Sequence, residues 1–492
     1  MSKSIALNSV FNLLHRGYNV LYPLITSAYI SRLFLADGMG ELMFAINIVT
    51  YFTMAASLGI PSYAIKVVAN IRDSKRLTSI RFSEIASLIF LSSIAATILY
   101  YVTIIAVNIS SFNAQSFQCG LILGLMVVSN IFNYDWLFEA EEDYKYLANR
   151  SILIKTVALI FLFSVVKSRS DILVYCFIYA SISVANNLFN FLNYRRYANY
   201  TFKNLNIRQH LKPVFILFAA VFATDVYILL DSTMLGILCP PESLGYYSNS
   251  SRLVRSSFGL LSAATFVFTP RLNYLYGKGD IKAYKVIFQK YFDISLFLAI
   301  PSSVGILYLA PQIIQVVFGS AFLEGSITMR ILSVLLVFFT LAMVFGHVGL
   351  IVYHKEKYIL QATICGAVSN FLLNLALIPA LQQNGAAIAS VVSEILVTCV
   401  MVHFSLKSFK IPIFNSDLLK SVLASVIMLI PIIMGKQYIN NTFVYLTYSI
   451  IIGLITYLIC IFMLHHSFSI LIKEKCSVLL NNINHKNSSL RK

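Results

Sequence analysis

The chain has 492 residues, of which 58% are hydrophobic and 12% charged. Soluble globular domains carry about a quarter charged residues, so that class is excluded. A formal charge of +17 would suit a nucleic-acid ligand, but the basic residues are segregated along the chain in a way that fits a membrane and no nucleic acid.

About twenty apolar residues cross the hydrocarbon core as a helix. Fourteen such windows are predicted, at 9–33, 39–61, 82–107, 118–139, 151–167, 171–193, 213–239, 251–270, 290–309, 328–352, 358–379, 383–406, 418–437 and 442–464. The expected fold class is an all-α polytopic membrane protein. The first window is too long for a cleavable signal peptide, carries His15 and Arg16, and has no clear small-residue cleavage site.

Six basic residues fall within or at the ends of these windows: Arg16, Arg32, Lys155, Arg252, Arg255 and Arg330. A charge near the bilayer centre costs about 2.5–3.5 kcal/mol on insertion scales, so such residues face a bundle interior or a watery cavity, or snorkel to an interface. Arg16 lies seven residues into its window, deep enough to favour cavity lining. Lys155, Arg32 and Arg330 are expected nearer helix ends, where snorkelling is favoured. His15 is read as a packing residue.

Further along, Pro23, Pro301 and Pro431 interrupt predicted helices and mark bends. The segment Tyr63–Arg81 is amphipathic, a solvated inner face or a lipid-headgroup contact. Gly120 and Gly124 form a small-xxx-small packing pair. Asp225 and Asp231 share the seventh window but sit about 120° from a common helix face. Asp231 is expected level with Arg252 and Arg255, which share a face of the next helix; it pairs with one of them as a brace or as a gate. Asp225, Asp231 and Glu394 are the candidates for ion coupling or gating; Glu394 and Asp135 are each read as a coupling-proton carrier or a satisfied buried carboxyl. Seven scattered cysteines include no Cys-x-x-Cys pair, so no metal is expected.

Counted from a cytoplasmic amino terminus, the inner loops and tail hold 28 basic residues and the outer loops three. The positive-inside rule then puts both termini in the cytoplasm. The turn Asp37-Gly38-Met39-Gly40, a helix ending at Pro61 and the basic Lys66–Asp73 segment recur, offset by about 205 residues, as Pro241–Gly245, Pro270 and Arg271–Asp280. The reading is two parallel six-helix lobes, over 1–205 and 206–408, and a last helix pair with a basic cytoplasmic tail over 409–492. Such lobes bind cargo where they meet and rock to give alternating access. The loops are too short for an enzyme domain, and no Gly-x-x-x-x-Gly-Lys-Ser/Thr loop is present for ATP. No cofactor is expected; the energy source is then an ion gradient such as H+ or Na+, the substrate gradient or a partner.

Particular stretches resemble a known family. Gly59-Ile60-Pro61-Ser62-Tyr63-Ala64-Ile65-Lys66 through Arg72-Asp73, Asp135-Trp136-Leu137-Phe138 through Tyr144, Leu230–Gly236 with Gly245-Tyr246-Tyr247-Ser248, and Pro270-Arg271-Leu272 are similar to Wzx-type flippases of surface-polysaccharide repeats. These belong to the multidrug/oligosaccharidyl-lipid/polysaccharide exporters. The likeness runs from about residue 5 to 465, departing at Glu139-Ala140, where the family has Gln-Gly, and at Arg32-Leu33-Phe34, where it tends towards Arg-Val-Leu-Gly. It implies a two-lobed, V-shaped fold like that of multidrug exporters, in a bacterial inner membrane. The implied cargo is an oligosaccharide on undecaprenyl pyrophosphate, with membrane lipids, a polysaccharide polymerase and a chain-length regulator as partners. A pyrophosphate needs cationic groups within the cavity, and Arg16, Arg255, Arg252 and Arg32 are the candidates. A peptidoglycan-precursor flippase or a cation-coupled multidrug exporter is the alternative; a membrane enzyme of glycan assembly is disfavoured by the short loops.

Overall fold

A computed structural model describes residues 5–108, 114–203, 205–409 and 415–468. Every regular element among them is helical. Among the described residues ten helices are long and apolar enough to cross a membrane, or eleven if the two parts of a helix bent by 42° near residue 224 count as one. Fourteen windows therefore exceed the continuous spans. Part of the difference lies in two helices of 53 residues, α1 (Ile5–Ser57) and, late in the chain, Glu356–Ser408. Straight, each would reach roughly 80 Å against a hydrocarbon core of about 30 Å. Each is divided by a backbone break, at Leu35 (φ 59°, ψ −172°) and Gln382 (φ 47°, ψ −128°). Left-handed φ at a side-chain-bearing residue costs on the order of 1–3 kcal/mol, so the surroundings must hold these breaks in place. The helices run on through Pro23 and Pro301, which correct the expected interruptions there. In a bundle, neighbouring groups satisfy the amide partner that proline frees.

The chain forms two compact units, residues 1–248 and 249–492. In the first, α1 is followed by α2 (Ile60–Ala69), α3 (Lys75–Asn108), α4 (Ala114–Leu123) and α5 (Leu125–Ser129). Then come α6 (Asp135–Ala140), α7 (Tyr144–Val165), α8 (Ile172–Asn193), α9 (Arg208–Leu238) and the start of α10 (Pro241–Leu261). The two family-like stretches pack on each other as α2 and α6. Ile60, Ala64 and Val68 meet Trp136, Leu137 and Ala140 in a buried core with Phe82, Tyr134 and Tyr194. Only glycine fits at 59: its φ is +64°, and a Cβ would lie 3.0 Å from the Phe218 backbone. Opposite-charge pairs tie the loops, Arg72 to Glu142 at 2.7 Å and Arg169 to Asp37, two residues past the Leu35 break. Gly120 and Gly124 pack against Ile104 and Tyr101 of α3, as their spacing predicts.

The second unit continues α10 into α11 (Ala263–Gly277), α12 (Ile281–Val317), α13 (Gly325–Ser333) and α14 (Leu335–Ala342). A π-helical turn, Met343–Leu350, precedes α15 (Glu356–Ser408); α16 (Ser416–Ile427), α17 (Leu429–Gly435) and α18 (Thr442–Met463) complete it. The central α12 packs on α11, α13, α14, α16 and α18. At one end its aromatic residues Tyr284, Phe288 and Phe292 join Phe345 and Phe409 in a buried core.

Candidate functional site

On α1, His15, Asn19 and Tyr22 recur at i, i+4 and i+7 and so share a face. The structure sets Lys155 of α7 against that face. Its ammonium donates to Asn19 Oδ1 and lies 5.4 Å from the Tyr22 ring centroid. Asn19 is linked in turn to His15 Nε2 at 3.1 Å, and Tyr18 Oη to Thr156 Oγ1 at 2.9 Å. Lys155 is half-buried, and among the described residues no carboxylate stands within ion-pair distance of it. Sequence put it near a helix end; with α7 running from Tyr144 to Val165 it lies at the middle, eleven residues from one end and ten from the other. That is roughly 15 Å of helix from either end. Its partners are neutral, so its charge remains available to an anion. Arg16 follows His15 on the α1 backbone, and its side chain lies outside the described residues.

In the second unit, Arg255 is half-buried in α10. Its Nε donates to Ser251 Oγ at 3.2 Å, and its guanidinium stands 5.5 Å from the Phe339 ring centroid. Arg252, one turn earlier, is also half-buried. Arg32 and Arg330 are exposed.

The acidic candidates have different surroundings. Asp231 is buried and accepts a hydrogen bond from Tyr247 Oη at 2.6 Å. Asp225 lines a cavity of about 300 Å3 in the first unit, with Thr50, Thr53, Ser57 and Ser62 among its polar walls and Phe218 and Phe222 among its apolar ones. Among the described residues it is the one ionisable group in that lining. The Thr50 and Thr53 hydroxyls donate to backbone carbonyls one turn back, which leaves their oxygen lone pairs available. Glu394 is buried in α15, on the same face as buried Ser390 and Thr398. No group of three or more metal-ligating side chains occurs among the described residues.

Among the buried ionisable groups, Arg150 and Glu84 escaped the sequence reading. Arg150, assigned there to a loop, is buried in α7, where it pairs with Asp135 at 2.8 Å and donates to Asn190. Asp143 was the available signal: it caps α7, accepting from Tyr146 N, which puts Arg150 almost two turns inside the helix. Glu84 of α3 is buried and accepts from Arg81 at 2.8 Å, His210 Nε2 at 2.8 Å and the Asn206 amide at 2.7 Å. His210 is held on its other nitrogen by Tyr63 Oη at 2.7 Å. Glu84 therefore clamps the segment entering α9 onto α2 and α3.

Comparison with known proteins sets these clusters in context. Residues 5–275 match the polysaccharide biosynthesis protein family, and residues 152–459 match the lipid II flippase MurJ family. An Escherichia coli (strain K12) protein named "Putative O-antigen transporter" is 24% identical over 82% of this chain and 96% of its own length. A solved structure of the lipid II flippase MurJ in an inward closed conformation covers 93% of this chain and 98% of its own, with TM-score 0.71 and 20% identity. An inward-facing multidrug resistance MATE transporter of the MOP superfamily covers 82% of this chain and 99% of its own, with TM-score 0.60 and 14% identity. The chain is thus a multi-pass membrane protein with the fold of the MurJ and MATE transporters, and it belongs to the polysaccharide biosynthesis protein family.

Proposed function

We propose that the protein flips an oligosaccharide repeat unit, carried on undecaprenyl pyrophosphate, from the cytoplasmic to the outer leaflet of a bacterial inner membrane. The cargo serves O-antigen or a similar surface polysaccharide, and transport proceeds by alternating access of two lobes. One observation carries the reading. A chain of this family holds an ammonium, Lys155, in mid-helix with neutral partners only. A buried cation is costly unless it meets a counter-charge. A cargo pyrophosphate supplies one during transport, while the polyprenyl tail remains in lipid. Arg255 and Arg252, with Arg16, extend the same cationic chemistry. Asp225, in its polar cavity, is the candidate carrier of a coupling H+ or Na+, with Glu394 second.

The test is surface-polysaccharide display in a strain deleted for its own repeat-unit transporter. Expression of this chain should restore display, and Lys155→Ala should not, at equal membrane abundance. Full display with Lys155→Ala would remove the ammonium from the transport path. Transport of the peptidoglycan precursor is the second reading, favoured by the match over residues 152–459. Rescue of a strain depleted of its lipid II flippase, without rescue of display, would select it.

The accompanying topology has fourteen crossings with both termini cytoplasmic. Reporter fusions after Lys75, Lys203 and Lys282 should read as internal, and those after Ser110 (outside the described residues), Ser243 and Gln383 as external. Two reversed sites would overturn this map.

A further inference from the structure

The amino-terminal end of α7 borders a cavity of about 380 Å3 that the transport reading does not use. Lys145, Arg150 and Arg196 line it, against a single carboxylate, Asp143. That carboxylate is already engaged, accepting from Tyr146 N at 3.4 Å and from Tyr197 Oη at 2.7 Å. The Tyr146 ring organises the cations: the guanidinium carbons of Arg150 and Arg196 lie 5.6 and 5.3 Å from its centroid. The ring itself is fixed, stacked on Phe138 at 4.5 Å with its hydroxyl donating to the Phe189 carbonyl at 2.9 Å. Arg150 is buried; its terminal nitrogens serve Asn190 and Asp135, while its Nε has no hydrogen-bond partner. Lys145 and Arg196 are exposed and make no ion pair among the described residues. Asp135 compensates Arg150, but Lys145 and Arg196 bring two further positive charges to one concave site, and they repel one another unless an anion joins them.

The rest of the lining is Asn149 and the apolar Leu153, Ile154 and Phe189. Leu153 also begins an exposed stripe on α7 that continues through Val157 and Ile160, beside exposed Phe189 and Leu192 of α8. In a membrane-spanning helix such a stripe faces acyl chains. A basic pocket opening onto a greasy helix face suits a ligand that carries both a phosphate and hydrocarbon.

We propose that this cavity binds the phosphate of an anionic membrane lipid, with the headgroup between Lys145 and Arg196 and an acyl chain along Leu153, Val157 and Ile160. The site is independent of the cargo, and its test does not require transport. The purified full-length protein, stripped of lipid, is titrated with phosphatidylglycerol or phosphatidylcholine and read by native mass spectrometry. Phosphatidylglycerol should bind in preference, and Lys145→Ala with Arg196→Ala should weaken it by about 10–30-fold. Lys145→Arg with Arg196→Lys should retain the preference, which separates loss of charge from loss of fold, and Arg196→Gln alone should show a smaller weakening. An unchanged preference in the double alanine variant, at an unchanged melting temperature, would overturn the site. Inorganic phosphate is the second arm. If it saturates the wild-type protein while phosphatidylglycerol shows no advantage over phosphatidylcholine, the lipid assignment falls and a soluble phosphate compound replaces it.

Discussion

Arg150 and Lys155 stand five residues apart on α7, yet the fold treats their charges in opposite ways. Arg150 is buried with a carboxylate at 2.8 Å and an amide oxygen beside it. Lys155, deeper along the same helix, is given only an amide oxygen and an aromatic ring. A buried charge with a counter-charge is a structural element, and removing one partner strands the other. A half-buried charge among neutral groups contributes little to the fold, because its lost hydration is incompletely replaced. The difference separates architecture from function on a single helix, where the residue types alone would not.

The sharpest way to break this comparison is to neutralise Lys155. Lys155→Met keeps the length of the side chain and removes the charge. Melting temperature in detergent should be unchanged or higher, since no counter-charge is stranded. Transport of the lipid-linked repeat unit should fall by about 10–100-fold, the worth of one charged hydrogen bond. A variant that unfolds but, where folded, transports normally would reverse the two roles.

Asp135→Ala tests the other side. It leaves Arg150 buried without its carboxylate. The loss should be roughly 2–3 kcal/mol, below the 3–5 typical of fully buried pairs, because the Asp135 side chain is 42% exposed. Membrane abundance should drop accordingly. The double change, Asp135→Ala with Arg150→Met, should lose less than the sum of the single changes. Strict additivity would mean that the pair contributes nothing beyond its separate members.

The helical membrane class was legible because hydropathy reports the solvent directly, and the family-like stretches turned out to be contiguous core, Ile60 and Ala64 against Trp136 and Leu137. The helix breaks were not legible. The turn predicted at Asp37–Gly40 is instead a break at Leu35, a residue whose chemistry gives no sign of left-handed φ; tertiary packing imposes it. The glycines of that turn have another use. A Cβ on Gly40 would fall 1.7 Å from the Pro241 carbonyl oxygen, and one on Gly245 would fall 2.1 Å from that of Ala36. At the 205-residue offset read from the sequence, Gly40 corresponds to Gly245 and Ala36 to Pro241, so the contact is reciprocal. Of the site residues, embedded charge was visible in the sequence, but its pairing was not. Lys155 and Arg150 were each misjudged because the start of α7 was placed at residue 151, seven residues late. An error of two turns there moves one residue from loop to core and the other from helix end to helix middle.

The smallest expected effect concerns Tyr22, which bears on how the ammonium is held ready. A cation over a desolvated aromatic face gains up to about 2 kcal/mol, and about 0.5–1 kcal/mol where water still reaches it. Tyr22 is buried and Lys155 half-buried, so the interaction belongs between those limits. Tyr22→Leu removes the ring and leaves Asn19 as the remaining neighbour of the ammonium. Transport should fall by roughly two- to fivefold as the side chain loses its fixed position. Tyr22→Phe keeps the ring face and should stay close to wild type. Equal defects in the two variants would mean that the hydroxyl matters and the ring does not. Lys155 would then be held by hydrogen bonds on both sides, as Arg150 is by Asp135 and Asn190, and the contrast along α7 would rest on charge alone.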